Sequence, residues 1–235
     1  MKIILNPKYE HLREYLLRLE EHFERDGHEI HRGRNVIRTL KVDGLTLCVK
    51  RYAPPSLRGR VACRIYKASK GERAYKWPLL LRERGFESPE PIAYLLFRHG
   101  FLKSNTYFVC LQSQYRYNLS MLHSLPREEH DDVVRHFAHF AARLHSNGFL
   151  HRDFSSDNIL YDHVKGRYRF SLIDTNSMKH GSPISVEKGC ANLAQLSGDD
   201  HFFRLLAACY AEERKVDAAM CLRLINAARE KRKDN

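Results

Sequence analysis

The chain has 235 residues, of which 43% are hydrophobic, and its formal net charge is +12 at pH 7. This length and apolar content allow a substantial buried core and exclude a chain that is disordered throughout. The positive charge predicts attraction to a polyanion, which is nucleic acid, an anionic membrane surface or a phosphorylated substrate.

No apolar run reaches the roughly 18 residues that span a bilayer, and the first residues lack the long apolar core of a secretory signal. We therefore expect a soluble protein that is not exported and works in the cytoplasm. The six cysteines are scattered and form no C-x-x-C pair. Reduced thiols in a core are expected rather than disulfides or a zinc site.

Helical and strand patterns alternate in the first half of the chain. Asn6 to Phe23 keeps apolar residues at helical spacing, which predicts a first helix. Asn35 to Tyr52 has β-prone runs around the turn "VDG", which predicts a β-hairpin that "APPS" ends. Leu57 to Arg84 is basic and helix-compatible, with a break near Gly71 or a bend before Pro78.

The second half changes from strands to helices. Strand candidates near Ile92 to Phe97 and Thr106 to Gln112 precede a helix over Pro126 to Ser146, which "SNG" ends. The segments "NILYD" and "YRFSLID" predict a β-pair, and helices follow from Val186. This order predicts an α+β protein with a strand-rich lobe over residues 1–114 and a mainly helical lobe over residues 115–235.

The stretch "FLHRDFSSDNILYD" places six polar or charged functional side chains between apolar residues. His151, Arg152 and Asp153 are followed by Asn158 at the spacing of the kinase catalytic loop, H-R-D-x-x-x-x-N. Four such positions match by chance on the order of once in a thousand sequences of this length. "FSLID" then puts Asp174 at the end of a predicted strand, where a kinase has its metal-binding aspartate.

Residues upstream complete a phosphate-binding set. "LCVKRY" puts Lys50 on the second strand of the hairpin, and Glu72 follows on the next helical segment. The two can form the ion pair that holds a nucleotide's phosphates, although Glu83 is an alternative partner nearer the helix end. No G-x-G-x-x-G precedes Lys50, and "HRGRNVIR" offers only Gly33 and the backbone amides near His31 to Arg34 as a phosphate-covering loop.

These residue types suit phosphoryl transfer. Charge in its loose transition state is spread over phosphate oxygens, so positioning and cationic stabilisation supply most of the catalysis. Asp153 would accept or orient the proton of an attacking hydroxyl. Asn158 and Asp174 offer oxygen ligands, so we expect ATP with Mg²⁺, or Mn²⁺ in its place, as cofactors.

With these motifs the chain resembles the protein-kinase-like superfamily and, more closely, the lipopolysaccharide core kinases that act on Kdo or heptose. The closer resemblance rests on "VKRY", "KASKGERAYKW", "RGFESPEPIAY", "LHSNGFLHRDFSSDNILYD" and "FSLIDTNSMKHG", and covers roughly residues 30 to 200. It implies a two-lobed protein-kinase-like fold and ATP-dependent phosphorylation of a sugar hydroxyl on a lipid-linked core oligosaccharide, at the inner face of a bacterial inner membrane.

The departures from the kinase pattern keep other functions open. Thr175 and Asn176 follow Asp174, so "IDTN" replaces the DFG triplet, and no A-P-E appears. Control by a moving phenylalanine and docking of peptide substrates therefore lose support. The alternatives are a kinase of a protein serine or threonine or of a small molecule such as an aminoglycoside, and a pseudokinase that binds a partner. A nucleic-acid module is disfavoured, since no RRM, KH or zinc-finger pattern is present.

Some of these side chains also have plain structural interpretations. Asp157 is as compatible with stabilising the loop as with catalysis, and His151 and Arg152 are expected to act as scaffold. A basic run within the helix-compatible segment Leu57 to Arg84 is either a solvated helix face or a contact with an anionic membrane or glycolipid, at about 1 kcal/mol per residue. The run comprises Arg58, Arg60, Arg64, Lys67 and Lys70.

Overall fold

The computed structural model describes residues 1–53, 70–99 and 103–233. The chain falls into two units, Met1–Gln114 and Tyr115–Asn235, which are built from different kinds of element. Most of the predicted basic run lies outside the described residues, namely Arg58, Arg60, Arg64 and Lys67.

A six-stranded antiparallel sheet is the frame of the first unit. Its strands are β1 (Lys2–Leu5), β2 (His28–Arg32), β3 (Val36–Val42), β4 (Leu45–Tyr52), β5 (Pro91–His99) and β6 (Lys103–Leu111). Their spatial order is β1-β5-β6-β4-β3-β2. The strands predicted at β5 and β6 are confirmed, whereas the sequence pattern does not predict β1 or β2.

The predicted hairpin is formed by β3 and β4, which pair from Val36 opposite Arg51 to Val42 opposite Leu45. Asp43 and Gly44 connect them with φ of 47° and 73°. Positive φ at both central positions is typical of a type I′ turn, for which Asp-Gly is a preferred pair. The turn fixes the register of the two strands, which puts Lys50 opposite Ile37.

The single helix predicted over Asn6 to Phe23 is wrong, because the segment holds three short helices. They are a 3₁₀ helix (Pro7–Leu12), α1 (Arg13–Leu17) and α2 (Leu19–Arg25). Arg18 separates α1 from α2 with φ −104° and ψ 20°, outside the helical region. The predicted apolar face is nevertheless correct, since its main residues are fully buried: Leu12, Leu16, Leu19 and Phe23.

The two faces of the sheet are covered by different helices. Val49 of β4 belongs to the same core as the N-terminal helices, and side chains alternate along a strand, so Lys50 lies on the other face. A Cβ atom on Gly71 of α3 (Lys70–Glu83) would lie 2.8 Å from Cγ2 of Thr106. Thr106 is opposite the residue two positions after Lys50. Close packing at Gly71 thus puts α3 on the face that holds Lys50.

Helix α3 runs from Lys70 through Pro78 to Glu83, and the residues before Lys70 lie outside the described part of the chain, so the break near Gly71 stays a prediction. Gly71 is its second described residue and Pro78 lies inside it. Both residues are buried, so packing offsets the main-chain hydrogen bond that a proline removes from a helix.

The second unit is mainly helical. Its helices are α4 (Arg127–Ser146), α5 (Val186–Leu193), α6 (Asp200–Arg214) and α7 (Ala218–Lys233). α4 confirms the predicted helix and buries one apolar face, and the later three confirm the helices predicted after Val186. None of the helices in the described residues is long and apolar enough to cross a membrane.

Five short strands accompany these helices. They are β7 (Tyr117–Asn118), β8 (Phe149–Leu150), β9 (Ile159–Val164), β10 (Arg167–Leu172) and β11 (Lys179–His180). β9 and β10 form the predicted antiparallel pair, and β8 pairs with β11. A strand-rich first unit and a mainly helical second unit confirm the predicted α+β class.

Candidate active site

The predicted catalytic loop lies in the second unit and is fixed at both ends. β8 directly precedes His151 and pairs with β11, which follows Asp174 along the chain. β9 directly follows Asn158 and pairs with β10, which ends two residues before Asp174. Two ladders therefore hold the loop beside the segment that bears Asp174.

His151 is fully buried and joins the two segments through its ring. Its Nε2 lies 3.0 Å from the main-chain oxygen of Ile173, and its Nδ1 accepts the amide hydrogen of Asp153 at 3.2 Å. Burial lowers the pKa of His151, so the ring is neutral, with its one proton on Nε2. The histidine is thus a scaffold of the loop, as its sequence position predicts.

Asn158 connects the other predicted members. Its Nδ2 donates to the main-chain oxygen of Asp153 at 3.0 Å, and its own main-chain oxygen accepts from Ile173 at 3.0 Å. Ile173 is followed by Asp174, so these bonds bring Asp153, Asn158 and Asp174 together. Because the amide nitrogen is directed at Asp153, the side-chain oxygen of Asn158 points the other way.

Asp174 has a backbone conformation that residues other than glycine rarely adopt. Its φ and ψ are 52° and 42°, in the left-handed region, and such strain is typical of functional positions. The Asn176 side-chain amide donates to Oδ1 of Asp174. Asn176, which the sequence shows only as a departure from DFG, therefore orients the predicted metal ligand.

The donor set fits Mg²⁺. Mg²⁺ prefers oxygen, and it commonly takes one or two protein ligands and completes its shell with phosphate oxygens and water. An amide oxygen from Asn158 and a carboxylate from Asp174 meet that requirement. In residues 1–53, 70–99 and 103–233, no group of three or more His, Cys, Asp or Glu side chains could hold a metal by itself.

Three polar residues of the loop differ in their surroundings. Asp153 and Arg152 are exposed, so the Asp153 carboxylate is accessible to an acceptor molecule. Asp157 is exposed too, but it accepts a hydrogen bond from Oγ of Ser120 at 2.7 Å. This bond ties the loop to a 3₁₀ helix (Leu119–Ser124) and favours the structural interpretation of Asp157.

Lys50 lies near one end of β4 in the first unit, half-buried and opposite Ile37 and Phe108 on the neighbouring strands. Gly33 lies in the turn between β2 and β3, at the end of the sheet where β3 begins, and its amide donates to the main-chain oxygen of Asn35 at 3.0 Å. Lys50 is opposite Ile37, the second residue of β3, so it lies at the same end of the sheet as the turn that contains Gly33.

Glu72 lies on α3, on the same face of the sheet as Lys50. Its carboxylate contacts Lys2 at 3.1 Å and Lys76 at 3.0 Å, and its side chain is 15% exposed. Burial acts to raise the pKa of Glu72, but the hydrogen bonds from Lys76 and Lys2 outweigh it, and the pKa lies below its usual value. Glu72 is therefore a carboxylate at neutral pH, and its pairing with Lys50 stays a prediction.

No protein-family model and no curated protein sequence matches the chain. Many solved structures are similar to the chain, among them two that match most of its length. WaaP in complex with acyl carrier protein superposes with a TM-score of 0.63 and 17% identity, over 98% of this chain and 99% of that chain. The aminoglycoside phosphotransferase APH(2'')-Ib, bound to ADP, gives a TM-score of 0.53 and 15% identity, over 89% of this chain and 84% of that chain. This likeness establishes the predicted protein-kinase-like fold.

Proposed function

We propose that the protein is an ATP-dependent phosphotransferase that phosphorylates a sugar hydroxyl of the lipopolysaccharide core, on Kdo or heptose. The observation that supports it most is that hydrogen bonds of Asn158 join Asp153 to Ile173, the residue directly before Asp174, in a fold shared with an ADP-bound phosphotransferase. The choice of a sugar acceptor rests on the resemblance of the sequence to the core kinases.

In this mechanism Asp153 is the catalytic base. The acceptor oxygen forms a bond to the γ-phosphorus of ATP while the bond from that phosphorus to the β,γ-bridging oxygen breaks, which releases ADP. The proton of the acceptor hydroxyl passes to the carboxylate of Asp153. The exposed carboxylate and its hydrogen-bonded main chain suit this role, because a base must be both accessible and held in place.

Asn158 and Asp174 would hold Mg²⁺. An ion held there would supply positive charge that stabilises the phosphates during transfer. The chain contributes the orientation of both ligands, through the hydrogen bond from Asn158 to Asp153 and the one from Asn176 to Asp174. Both bonds are made within the chain itself, so folding orders the two ligands.

In the first unit, Lys50 would bind the nucleotide phosphates and Glu72 would orient it. Support comes from their position on one face of the sheet, which the packing of Gly71 on Thr106 fixes. The turn that contains Gly33 would cover the phosphates with backbone amides. We also place the protein in the cytoplasm, peripherally at the inner face of the inner membrane, where the run from Arg58 to Lys70 would meet anionic lipid.

A second candidate acceptor is a small molecule. It is favoured by the similarity to an aminoglycoside phosphotransferase over 89% of the chain. The phosphotransfer residues would keep their roles in that case, and only the acceptor would change. A pseudokinase is disfavoured, because Lys50, Asp153, Asn158 and Asp174 are all present.

The experiment uses ATP labelled in its γ-phosphate. The protein is incubated with Mg²⁺ and, separately, bacterial core glycolipid, total protein and an aminoglycoside, and each fraction is then analysed for label. We expect label in the glycolipid with the wild type and none with Asp153→Asn. Asp157→Asn is the matched control, since it makes the same change in the same loop and should retain transfer. Label in another fraction would show that the acceptor is a protein or an aminoglycoside instead of a core sugar. No ATP consumption in any fraction would overturn the proposal.

A further inference from the structure

A row of four polar side chains, three of them buried and one half-buried, crosses the helices of the second unit and ends at the catalytic loop. We call Arg214, Tyr210, His145 and Asn192 the polar relay. Arg214 Nη1 lies 2.7 Å from Tyr210 Oη, which lies 2.9 Å from His145 Nδ1. His145 Nε2 lies 3.1 Å from Asn192 Oδ1, and Asn192 Nδ2 donates to the main-chain oxygen of His151 at 2.9 Å.

Three of the four relay side chains are shielded from water, and Arg214 at its far end is half-buried. His145 and Tyr210 are 0% exposed and Asn192 is 4% exposed. Buried polar groups are costly unless each has a partner, so a fully paired row in a helical core holds a defined geometry. The relay joins α6, α4 and α5, in that order, to the residue that begins the loop.

Only one assignment of donors and acceptors is compatible with all the hydrogen bonds of the relay. Burial lowers the pKa of His145 to about 4, so its ring is neutral and has one proton. Asn192 must direct its amide nitrogen at the oxygen of His151, which leaves its own oxygen to accept from His145 Nε2. His145 Nδ1 then accepts from the Tyr210 hydroxyl, whose oxygen accepts from Arg214.

A glycine makes the close approach of these groups possible. A Cβ atom on Gly189 of α5 would lie 2.1 Å from Tyr210 Oη and 3.0 Å from His145 Nδ1. A side chain at position 189 would collide with Tyr210. The glycine in α5 therefore allows Tyr210 to approach His145 and form their hydrogen bond.

The segment that bears Asn192 also contacts the loop at two further points. Gln195 Oε1 accepts the amide hydrogen of Phe154 at 3.3 Å, and the amide of Ser197 donates to Oγ of Ser156 at 3.0 Å. Residues 192–197 therefore contact the loop on both sides of Asp153. The side-chain amide of Asn192 is the contact nearest its beginning.

We propose that Asn192 is a positioning residue of the phosphotransfer site: it fixes the catalytic loop through the main-chain oxygen of His151, and its own orientation is set by His145 and Tyr210. This inference rests on the proposed function, because the loop is catalytic only if the protein transfers phosphate. The placement of the loop, however, can be measured without turnover. Asn192 touches no reacting atom, and it acts through the residues that hold Asp153.

The test variant is Asn192→Asp. A protonated aspartic acid reproduces both bonds, because its carbonyl accepts from His145 and its hydroxyl donates to His151. An ionised carboxylate has no donor and repels the oxygen of His151. Burial raises the pKa of such a carboxyl. The titratable and charged groups around the position are His145 on α4, His151 in the loop, and Tyr210 and Arg214 on α6.

Two quantities are measured at about pH 5.5 and about pH 8.5, each as a ratio to the wild type at the same pH. They are hydrogen–deuterium exchange of the amides from Asp153 to Asn158, and kcat and KM for ATP consumption with Mg²⁺ and the acceptor fraction that takes up label. At the lower pH we expect ratios near one. At the higher pH we expect loop exchange to be about tenfold faster and kcat about tenfold lower, with KM little changed, as for the loss of one hydrogen bond.

Asn226→Asp on α7 is the matched control and should show no such change at either pH. Tyr210→Phe is a milder second variant that keeps the core filled, and it should loosen the loop less than Asn192→Asp. Loop exchange equal to the wild type in Asn192→Asp at the higher pH would overturn the inference. Faster exchange spread evenly over α4 and α6 would also overturn it, since the role would then be general stability. A wild type that consumes no ATP with any of the acceptor fractions would overturn the proposed function, while the exchange measurement would still decide the role of Asn192.

Discussion

The main-chain oxygen of Asn158 accepts the amide hydrogen of Ile173 at 3.0 Å. This bond joins the end of the catalytic loop to the residue directly before Asp174, so the two predicted metal ligands keep a fixed spacing. The bond extends the β9–β10 ladder by one residue beyond the pair in which Leu172 is opposite Ile159. The spacing of the ligands is therefore set by a β-pair rather than by a flexible loop.

Removing the side chain of Asn176 tests how Asp174 is oriented. Its amide donates to Oδ1 of Asp174, whose backbone is left-handed. Groups that orient a metal ligand typically contribute ten- to a hundredfold to metal affinity. We expect Asn176→Ala to raise the Mg²⁺ concentration for half-maximal ATP turnover about tenfold. Asn147→Ala, an exposed asparagine that bonds to Arg143, should leave it unchanged. An unaltered Mg²⁺ dependence in Asn176→Ala would contradict this role.

Lys50→Met tests the phosphate-binding role of the sheet face. A charge-assisted bond to a phosphate is worth about 1.5–3 kcal/mol, so ATP affinity measured by calorimetry should fall about ten- to a hundredfold. Lys41→Met on β3 is the control, because Lys41 is exposed and lies on the adjacent strand. Thermal unfolding should be similar in the two variants. If Lys50→Met and Lys41→Met bind ATP with equal affinity, Lys50 does not bind the phosphates of ATP.

Cys48 offers a chemical probe of the same face. It lies two residues before Lys50 on β4, and a hydrogen bond from Cys110 lowers the pKa of its thiol, as does the charge of Lys50, against the effect of burial. A lowered pKa increases the thiolate that reacts with iodoacetamide at neutral pH. We expect Mg²⁺-ATP to slow alkylation of Cys48, measured by mass spectrometry of its peptide. Alkylation at the same rate with and without saturating ATP would place the nucleotide elsewhere.

Local patterns in the sequence predict the parts of this fold that depend on neighbouring residues. The turn at Asp43 and Gly44 identifies the hairpin, and the spacing of Asp153, Asn158 and Asp174 identifies the loop that the structure assembles. In each case the physical cause, turn geometry or loop hydrogen bonding, acts within about twenty residues.

Contacts between distant segments explain what the sequence does not predict. β1 is a strand because it pairs with β5, some ninety residues later, and one of the ion pairs of Glu72 is to Lys2 on that strand. β2 is largely exposed and polar, so it has no alternating apolar signal. Asn192 gives a weak signal, a polar residue on the buried side of α5, but its partner His151 cannot be inferred from spacing.

Because His145 of the polar relay is buried, we expect the free energy of unfolding to depend on pH. Burial lowers the pKa of His145 to about 4, whereas in the unfolded chain it is near 6.5. Between these values the unfolded chain binds a proton that the folded protein does not, so the free energy of unfolding falls as the pH falls from about 6.5 to about 4. At about 1.4 kcal/mol per pH unit, the loss from this one group approaches about 3 kcal/mol.

Urea unfolding of the wild type and of His145→Gln, followed by circular dichroism at several pH values in this range, measures that loss. Glutamine keeps a donor and an acceptor but does not titrate, so the variant should lose less stability on acidification, although it is less stable at neutral pH. His136→Gln, an exposed position on the same helix, should follow the wild-type curve. If His145→Gln loses stability as steeply as the wild type, the acid sensitivity arises from other groups and His145 is not the buried neutral base that the relay requires.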